Sequence, residues 1–253
     1  MFDSHCHFDF AAFDSDREAE WHACAALGLD RLLVPGIEPR QWPVAQSLAK
    51  RQAGIYFAVG VHPWYLEKLP DGFHLGEAIA PFVGERECVA IGECGLDAVI
   101  DTPMAVQEAH FKQHLEAAEH HKLPLVLHVR KTHAQVQSLL KQTTLPAGGV
   151  IHGFSGSLEQ AEWYWSRGFR LGIGGTITYD RARKTRRAAQ LLPLDAIVLE
   201  TDAPDMPLQG RQGQRNSPTY LPLIAQALAD LREESLVEVQ ERTSVNAQTL
   251  FGL

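Results

Sequence analysis

The sequence predicts an α/β protein of the (β/α)8 TIM-barrel class, in a single domain over residues 1–253. Three observations carry this expectation. Eight short runs of apolar and β-branched residues recur along the chain, the segments between them have helical periodicity, and 253 residues is a length at which eight βα units fit. Strands that alternate with helices run parallel, because each helix carries the chain back across the sheet before the next strand begins.

In order, the runs are FDSHCH (2–7), RLLVPGI (31–37), IYFAVGV (55–61), CVAIGEC (88–94), PLVLHV (124–129), GGVIHGF (148–154), RLGIGGTI (170–177) and AIVLET (196–201). Between the fourth and fifth, PMAVQEAHFKQHLEAAEHH (103–121) sets Phe111, Leu115 and Ala118 at helical spacing. The stretch APDMPLQGRQGQRNSPT (203–219) is rich in Pro, Gly and Gln and reads as a long loop after the last strand, over the barrel mouth. An open doubly wound sheet is the alternative arrangement of the same elements.

Composition narrows the functional classes. A hydrophobic share of 45% against 21% charged residues supports a large core without staples. The four cysteines, Cys6, Cys24, Cys88 and Cys94, form no CxxC pair and are expected as reduced thiols. No apolar run approaches the roughly 20 residues that span a bilayer, and the start lacks the basic and apolar regions of a leader, so a soluble, cytoplasmic protein is expected. A net charge of −8 argues against broad clamping of nucleic acid but leaves room for a small phosphate-binding cleft. Nothing in the sequence decides the oligomeric state; a monomer is marginally preferred.

The chemistry-bearing residues sit at the ends of the runs. His5 and His7 share a face of the first strand if side chains alternate, with Cys6 pointing the other way, so the two imidazoles can meet one metal ion. An isolated HxH is usually accidental. Here it has company: His62, Glu93, His128, His152, Glu200 and Asp202 fall at C-terminal strand ends, which converge on one mouth in a barrel. Imidazole mixed with carboxylate suits Zn²⁺, Mn²⁺, Fe²⁺ or Ni²⁺ better than Ca²⁺. So many candidates could hold two ions bridged by a carboxylate, an arrangement suited to phosphoryl transfer.

The stretches DSHCHF, VGVHP (59–63), AIGECGLD (90–97), LPLVLHVR (123–130), IHGFSGS (151–157) and LETDAP (199–204) together resemble the successive signatures of the TatD family of metal-dependent deoxyribonucleases, and GGTITYDRARKTRR and LETDAPDMPLQG resemble its YjjV-like branch. The resemblance implies a (β/α)8 fold and hydrolysis of phosphodiester bonds in DNA by water activated on one or two divalent ions, with Zn, Mn, Ni or Mg as candidates. It makes His5, His7, Glu93, His128, His152 and Asp202 the metal ligands, Glu93 bridging and Asp202 handling the proton. One position departs from the pattern: Ala98 follows Asp97 where the family usually carries an aromatic ring, which weakens nucleic-acid affinity if that ring packs on a base or sugar.

Other residues have weaker claims. His62 is expected to contact a substrate phosphate or to orient the loop begun by Pro63, and Arg130, with Lys131 beside it, to hold phosphate oxygens. Glu200, two residues before Asp202, shares its face if the strand persists and then orients a ligand. Arg181, Arg183, Lys184, Arg186 and Arg187 read as a solvated helical face, and His110 and His114 as surface or packing residues, since HFKQH lacks the glutamate of HExxH. GFSGS has Ser157 where a nucleophile elbow needs glycine, and LGIGGTI has Ile177 where a dinucleotide fingerprint does. Two rival functions remain: an amidohydrolase-type enzyme acting on a small amide, ester or lactone, and a metal-binding interaction module. The acidic chain, with few basic contacts, favours single-stranded or frayed DNA ends over duplex interiors.

Overall fold

Each of the eight apolar runs forms a strand, and all eight belong to one parallel sheet in the order β1 to β8. The computed structural model describes residues 1–253. The strands are β1 (Phe2–Asp3), β2 (Arg31–Val34), β3 (Ile55–Val59), β4 (Cys88–Asp97), β5 (Leu125–Arg130), β6 (Gly149–Ile151), β7 (Phe169–Ile173) and β8 (Ile197–Leu199). Helices α1 (Arg17–Ala26), α2 (Trp42–Arg51), α3 (Leu75–Ile79), α4 (Met104–His121), α5 (His133–Leu140), α6 (Leu158–Trp165) and α7 (Arg183–Leu191) separate them, and α8 (Leu221–Arg232) and α9 (Leu236–Phe251) follow the last strand. This is the (β/α)8 barrel class. A doubly wound sheet has a point where strand order reverses, and here it never does. No helix is long and apolar enough to cross a membrane.

Most strands are shorter than their apolar runs. Because β1 stops at Asp3, β3 at Val59, β6 at Ile151 and β8 at Leu199, His5, His7, His62, His152, Glu200 and Asp202 lie on irregular segments just past strand ends. The placement of His5 and His7 within a strand is corrected accordingly. Their segment leaves the simple ladder by bonding to different neighbours in turn: Ser4 N–H donates to Leu199 O (2.9 Å), Cys6 N–H to Leu33 O (3.1 Å) and His7 N–H to Ala203 O (2.8 Å).

Two compact units divide the chain, residues Met1–Val34 with His152–Leu253, and residues Pro35–Ile151. In the first, β1 pairs with β2 and β7 with β8. Leu32, Leu33, Leu171 and Val198 are fully buried, and Phe2 packs on Phe251 of α9. Burial of side chains this size stabilises by about 1.5–3 kcal/mol each. Ser157, which stands where a nucleophile elbow would need glycine, caps α6: its Oγ accepts from Gln160 N–H (3.3 Å) while Gln160 Oε1 accepts from Ser157 N–H (2.8 Å). The 203–219 segment is a loop up to Ser217, as expected, and is tied down where Arg215 binds Asp16 bidentately (2.8 and 2.6 Å) and Asn216 Nδ2 donates to Thr201 O and Asp205 O (both 2.8 Å).

In the second unit β3, β4, β5 and β6 pair in sequence. The β4/β5 register shifts between Gly92 and Cys94, so Glu93 is the extra residue of a bulge, a device that re-aims one side chain. Gly95 has φ +139°, and a Cβ there would lie 2.0 Å from His128 O, so only glycine lets β4 approach β5 at this point. On α4, Phe111, Leu115 and Ala118 are buried, as their spacing predicts. So is His114, whose Nε2 accepts from Val61 N–H (2.9 Å) and whose Nδ1–H donates to His110 O (2.8 Å). Both nitrogens are thus used by backbone, and the ring is a packing residue.

Burial pushes the His114 pKa down to about 4, against about 6.5 in an unfolded chain. A lowered folded pKa means the unfolded state binds more protons between these values. The stability this ring supplies is therefore fully present above pH 6.5 and is lost as pH falls toward 4, by about 3 kcal/mol. His114→Gln keeps an acceptor for Val61 N–H without the titration. Urea denaturation from pH 7 to pH 4 should show a flatter loss of stability for the variant than for the wild type; parallel curves would refute the assignment.

Candidate metal centre

Within the first unit, the segments that follow β1, β6 and β8 bring histidines and carboxylates together. Asp202, at φ +56° just past β8, points Oδ1 at His5 Nε2 (3.7 Å) and His7 Nε2 (3.6 Å). Two donors on one tetrahedral Zn²⁺ stand about 3.4 Å apart, so these spacings are those of ligands sharing an ion. The rings of His5 and His152 stack at 3.7 Å, and His152 Nδ1 lies 3.2 Å from Glu200 Oε1. Atoms of His5, His152 and Glu200 all fall within 4.8 Å of one another, as an ion would require.

Glu200 does not share the direction of Asp202. The strand ends at Leu199, so the alternation that paired them fails, and Glu200 turns toward His152 instead. Its carboxylate fits because residue 172 is glycine: a Cβ there would lie 2.1 Å from Glu200 Oε2. The LGIGGTI run is therefore built around a carboxylate. Burial opposes ionisation of Glu200, but the charges of His152 and His5, with hydrogen bonds from His152 and Gly153 N–H, outweigh it and hold the pKa low.

Asp3 organises the backbone beneath these ligands. Its Oδ1 accepts from Thr201 N–H (3.0 Å) and His5 N–H (3.3 Å), and its Oδ2 from Thr201 Oγ1 (2.5 Å). Burial drives its pKa up to about 8, against the pull of those bonds. Cys6 is fully buried and its Sγ donates to Ala203 O (3.6 Å).

In the second unit Glu93, aimed by its bulge, has Oε1 at 3.4 Å from His128 Nδ1 and 3.5 Å from His62 Nε2. Asp97 decides what these nitrogens can do. Although burial works against ionisation, hydrogen bonds from His128, Val99 N–H and the Trp64 indole, with the His128 charge, keep its carboxylate ionised. Asp97 Oδ2 lies within hydrogen-bond distance of His128 Nε2 (3.1 Å), and on the far side of the ring His128 Nδ1 lies 3.4 Å from Glu93 Oε1. A proton on His128 or a cation shared with Glu93 would each satisfy that pair. His62 is different: its Nδ1 accepts from Trp64 N–H (3.1 Å), so in the neutral ring Nε2 carries the proton. Glu93 and His128 thus offer an oxygen and a nitrogen close enough to hold a divalent ion, while His62 Nε2 is placed to donate.

Asp97 and Trp64 were not singled out from the sequence, although both lie inside quoted motifs, ECGLD and VHPW. The signal available was a carboxylate four residues beyond Glu93 on one strand. Arg130 is half exposed, with Nη1 3.9 Å from Asp97 Oδ2. Arg181, Arg183, Lys184 and Arg187 are exposed, as expected of a solvated face, whereas Arg186 is held by Ile177 O.

Comparison with known proteins places this geometry in context. The family model described as TatD related DNase matches residues 2–252. A metal-dependent hydrolase of Escherichia coli K12, YjjV, is 41% identical over 99% of this chain and 97% of its own length. The 3'-5' ssDNA/RNA exonuclease TatD of Cronobacter sakazakii is 34% identical over 99% of this chain and 97% of its own. The crystal structure of YjjV superposes with a TM-score of 0.95, covering 100% of this chain and 98% of that one. With a family match over nearly every residue and the same fold in a relative of 41% identity, the chain belongs to the TatD-related DNase family.

Proposed function

We propose that this protein is a metal-dependent phosphodiesterase that hydrolyses DNA at single-stranded or frayed ends. One observation carries the reading furthest: His5 Nε2 and His7 Nε2 lie 3.7 and 3.6 Å from Asp202 Oδ1, spacings at which imidazole and carboxylate groups can share one divalent ion. The relatives named as metal-dependent hydrolases and as ssDNA/RNA exonucleases support it. The proposed ligands are His5, His7, Glu93, His128, His152 and Asp202, with Glu93 bridging, and one or two ions of Zn, Mn, Ni or Mg per chain. The enzyme acts as one domain over residues 1–253, a monomer in the cytoplasm, where its four buried free cysteines stay reduced.

A divalent ion supplies Lewis acidity: it makes water a usable nucleophile near neutral pH and withdraws charge from a phosphoryl oxygen. The chain's own groups do the rest. Asp202, whose Oδ1 lies within 3.7 Å of both His5 and His7, takes the proton of the attacking water. His62 offers Nε2–H to a non-bridging phosphate oxygen, and the exposed Arg130 guanidinium binds the next phosphate. Glu200 holds the His152 ring through Nδ1, leaving Nε2 to bind metal.

Three outcomes are expected. Purified protein should carry at least about one divalent ion per chain by elemental analysis; finding none, with no activity gained on adding Mn²⁺, Zn²⁺ or Mg²⁺, ends the reading. Side-by-side assays should show turnover of single-stranded oligonucleotides and bis(4-nitrophenyl) phosphate, whereas turnover of amides or lactones alone would favour the amidohydrolase-type activity. Finally, His7→Ala should lose most metal and activity, while Cys6→Ala keeps both and loses on the order of 1 kcal/mol of stability from lost packing. Metal loss in Cys6→Ala but not in His7→Ala would show the ligand assignment to be wrong.

A further inference from the structure

Trp64 combines two properties that rarely occur together. Its ring is 54% exposed, yet it is held at both ends of the residue: the indole Nε1–H donates to Asp97 Oδ2 (3.0 Å), and the backbone N–H donates to His62 Nδ1 (3.1 Å). It stands edge-on to the His62 ring at 5.5 Å and 89°. The next exposed apolar residue is tied to the same carboxylate, since Val99, 47% exposed, donates its N–H to Asp97 Oδ1 (2.8 Å). A flat apolar face left in water costs free energy, and fixing it in one orientation adds rotamer entropy to that cost. Packing does not require this exposure.

The neighbours of the ring say what would cover it. Three groups converge on one oxygen, Asp97 Oδ2: the Trp64 indole at 3.0 Å, His128 Nε2 at 3.1 Å and Arg130 Nη1 at 3.9 Å. A stacking face, a ligand-type imidazole and a guanidinium are thus set within a few ångströms of one another. In a single-stranded nucleic acid, base and phosphate alternate at comparable spacing, and aromatic faces beside cations are how proteins bind such strands without reading sequence. An apolar peptide would have no use for Arg130. A double helix would have no free base face to offer.

We infer that Trp64 is a stacking platform for an unpaired nucleobase of the substrate strand, held by Asp97 in fixed relation to His128 and the phosphate contact Arg130. The inference rests on the phosphodiesterase reading and deepens it, because it explains a preference for single-stranded ends through stacking, which the negative net charge does not oppose.

The test compares KM for oligothymidylate with KM for an oligonucleotide of equal length whose sugars carry no bases, using the metal-loaded wild type, Trp64→Ala and Trp64→Phe. Stacking of one base makes the wild-type KM lower for the base-bearing strand by about five- to a hundredfold. Trp64→Ala should bring that ratio down by about fivefold or more, and Trp64→Phe, which keeps a face while losing the bond to Asp97, should retain most of it. Trp64→Phe also serves if Trp64→Ala fails to fold. A wild-type ratio near one, or an unchanged ratio in Trp64→Ala, overturns the platform while the phosphodiesterase reading stands. If the wild type cleaves neither strand, that reading falls and the platform with it. Sedimentation showing that Trp64→Ala dissociates a dimer, with the ratio intact, would assign the ring to a self-interface and also overturn the proposal.

Discussion

The buried carboxylate of Asp3 is the constraint from which the first unit's site follows. A carboxyl group fully removed from water is costly unless its oxygens are bonded, and here the partners are the N–H and hydroxyl of Thr201 and the N–H of His5. Satisfying that one side chain locks residues 3–5 to residue 201. The flanking side chains inherit their positions: Asp202 comes within 3.7 Å of His5 and His7, and Glu200 turns back on His152. The backbone bonds of Ser4 to Leu199 and of His7 to Ala203 extend the same tie on either side.

Asp97 plays the corresponding part in the second unit by a different means. Asp3 is pushed toward its neutral form and works through backbone and hydroxyl donors, whereas Asp97 stays ionised and works through side chains. Its Oδ2 meets His128 Nε2 and accepts from the Trp64 indole N–H, which fixes the orientation of both rings. The imidazole that meets Asp97 at Nε2 presents Nδ1 to Glu93. His62, whose Nδ1 is taken by a backbone N–H, is committed the other way. Two histidines therefore turn opposite ring nitrogens toward one glutamate, as decided by what lies on their far sides.

Glycines that would pass as turn signals in the sequence are read differently in the structure. Gly95 admits the backbone of His128 and Gly172 admits the Glu200 carboxylate, each where a single added carbon would collide. GFSGS and LGIGGTI, which superficially suggest a nucleophile and a dinucleotide site, instead supply a helix cap through Ser157 and room for an acid through Gly172.

All eight strands and the helix over 104–121 could be located from periodicity, because burial of Phe111, Leu115 and Ala118, or of Leu32 and Leu33, depends only on which residues are apolar and how they are spaced. The residue types that collect past strand ends were legible for the same reason, and so was the burial of Cys6. Strand ends were not. Whether a segment stays in the ladder depends on backbone partners from distant parts of the chain, so periodicity could not show that β1 stops at Asp3 or that Glu200 and Asp202 part company. Nor could it show the roles of Asp97 and Trp64. A carboxylate that holds an imidazole and anchors an exposed ring does so through groups 31 and 33 residues away, and only the folded chain brings those atoms within 3.1 Å.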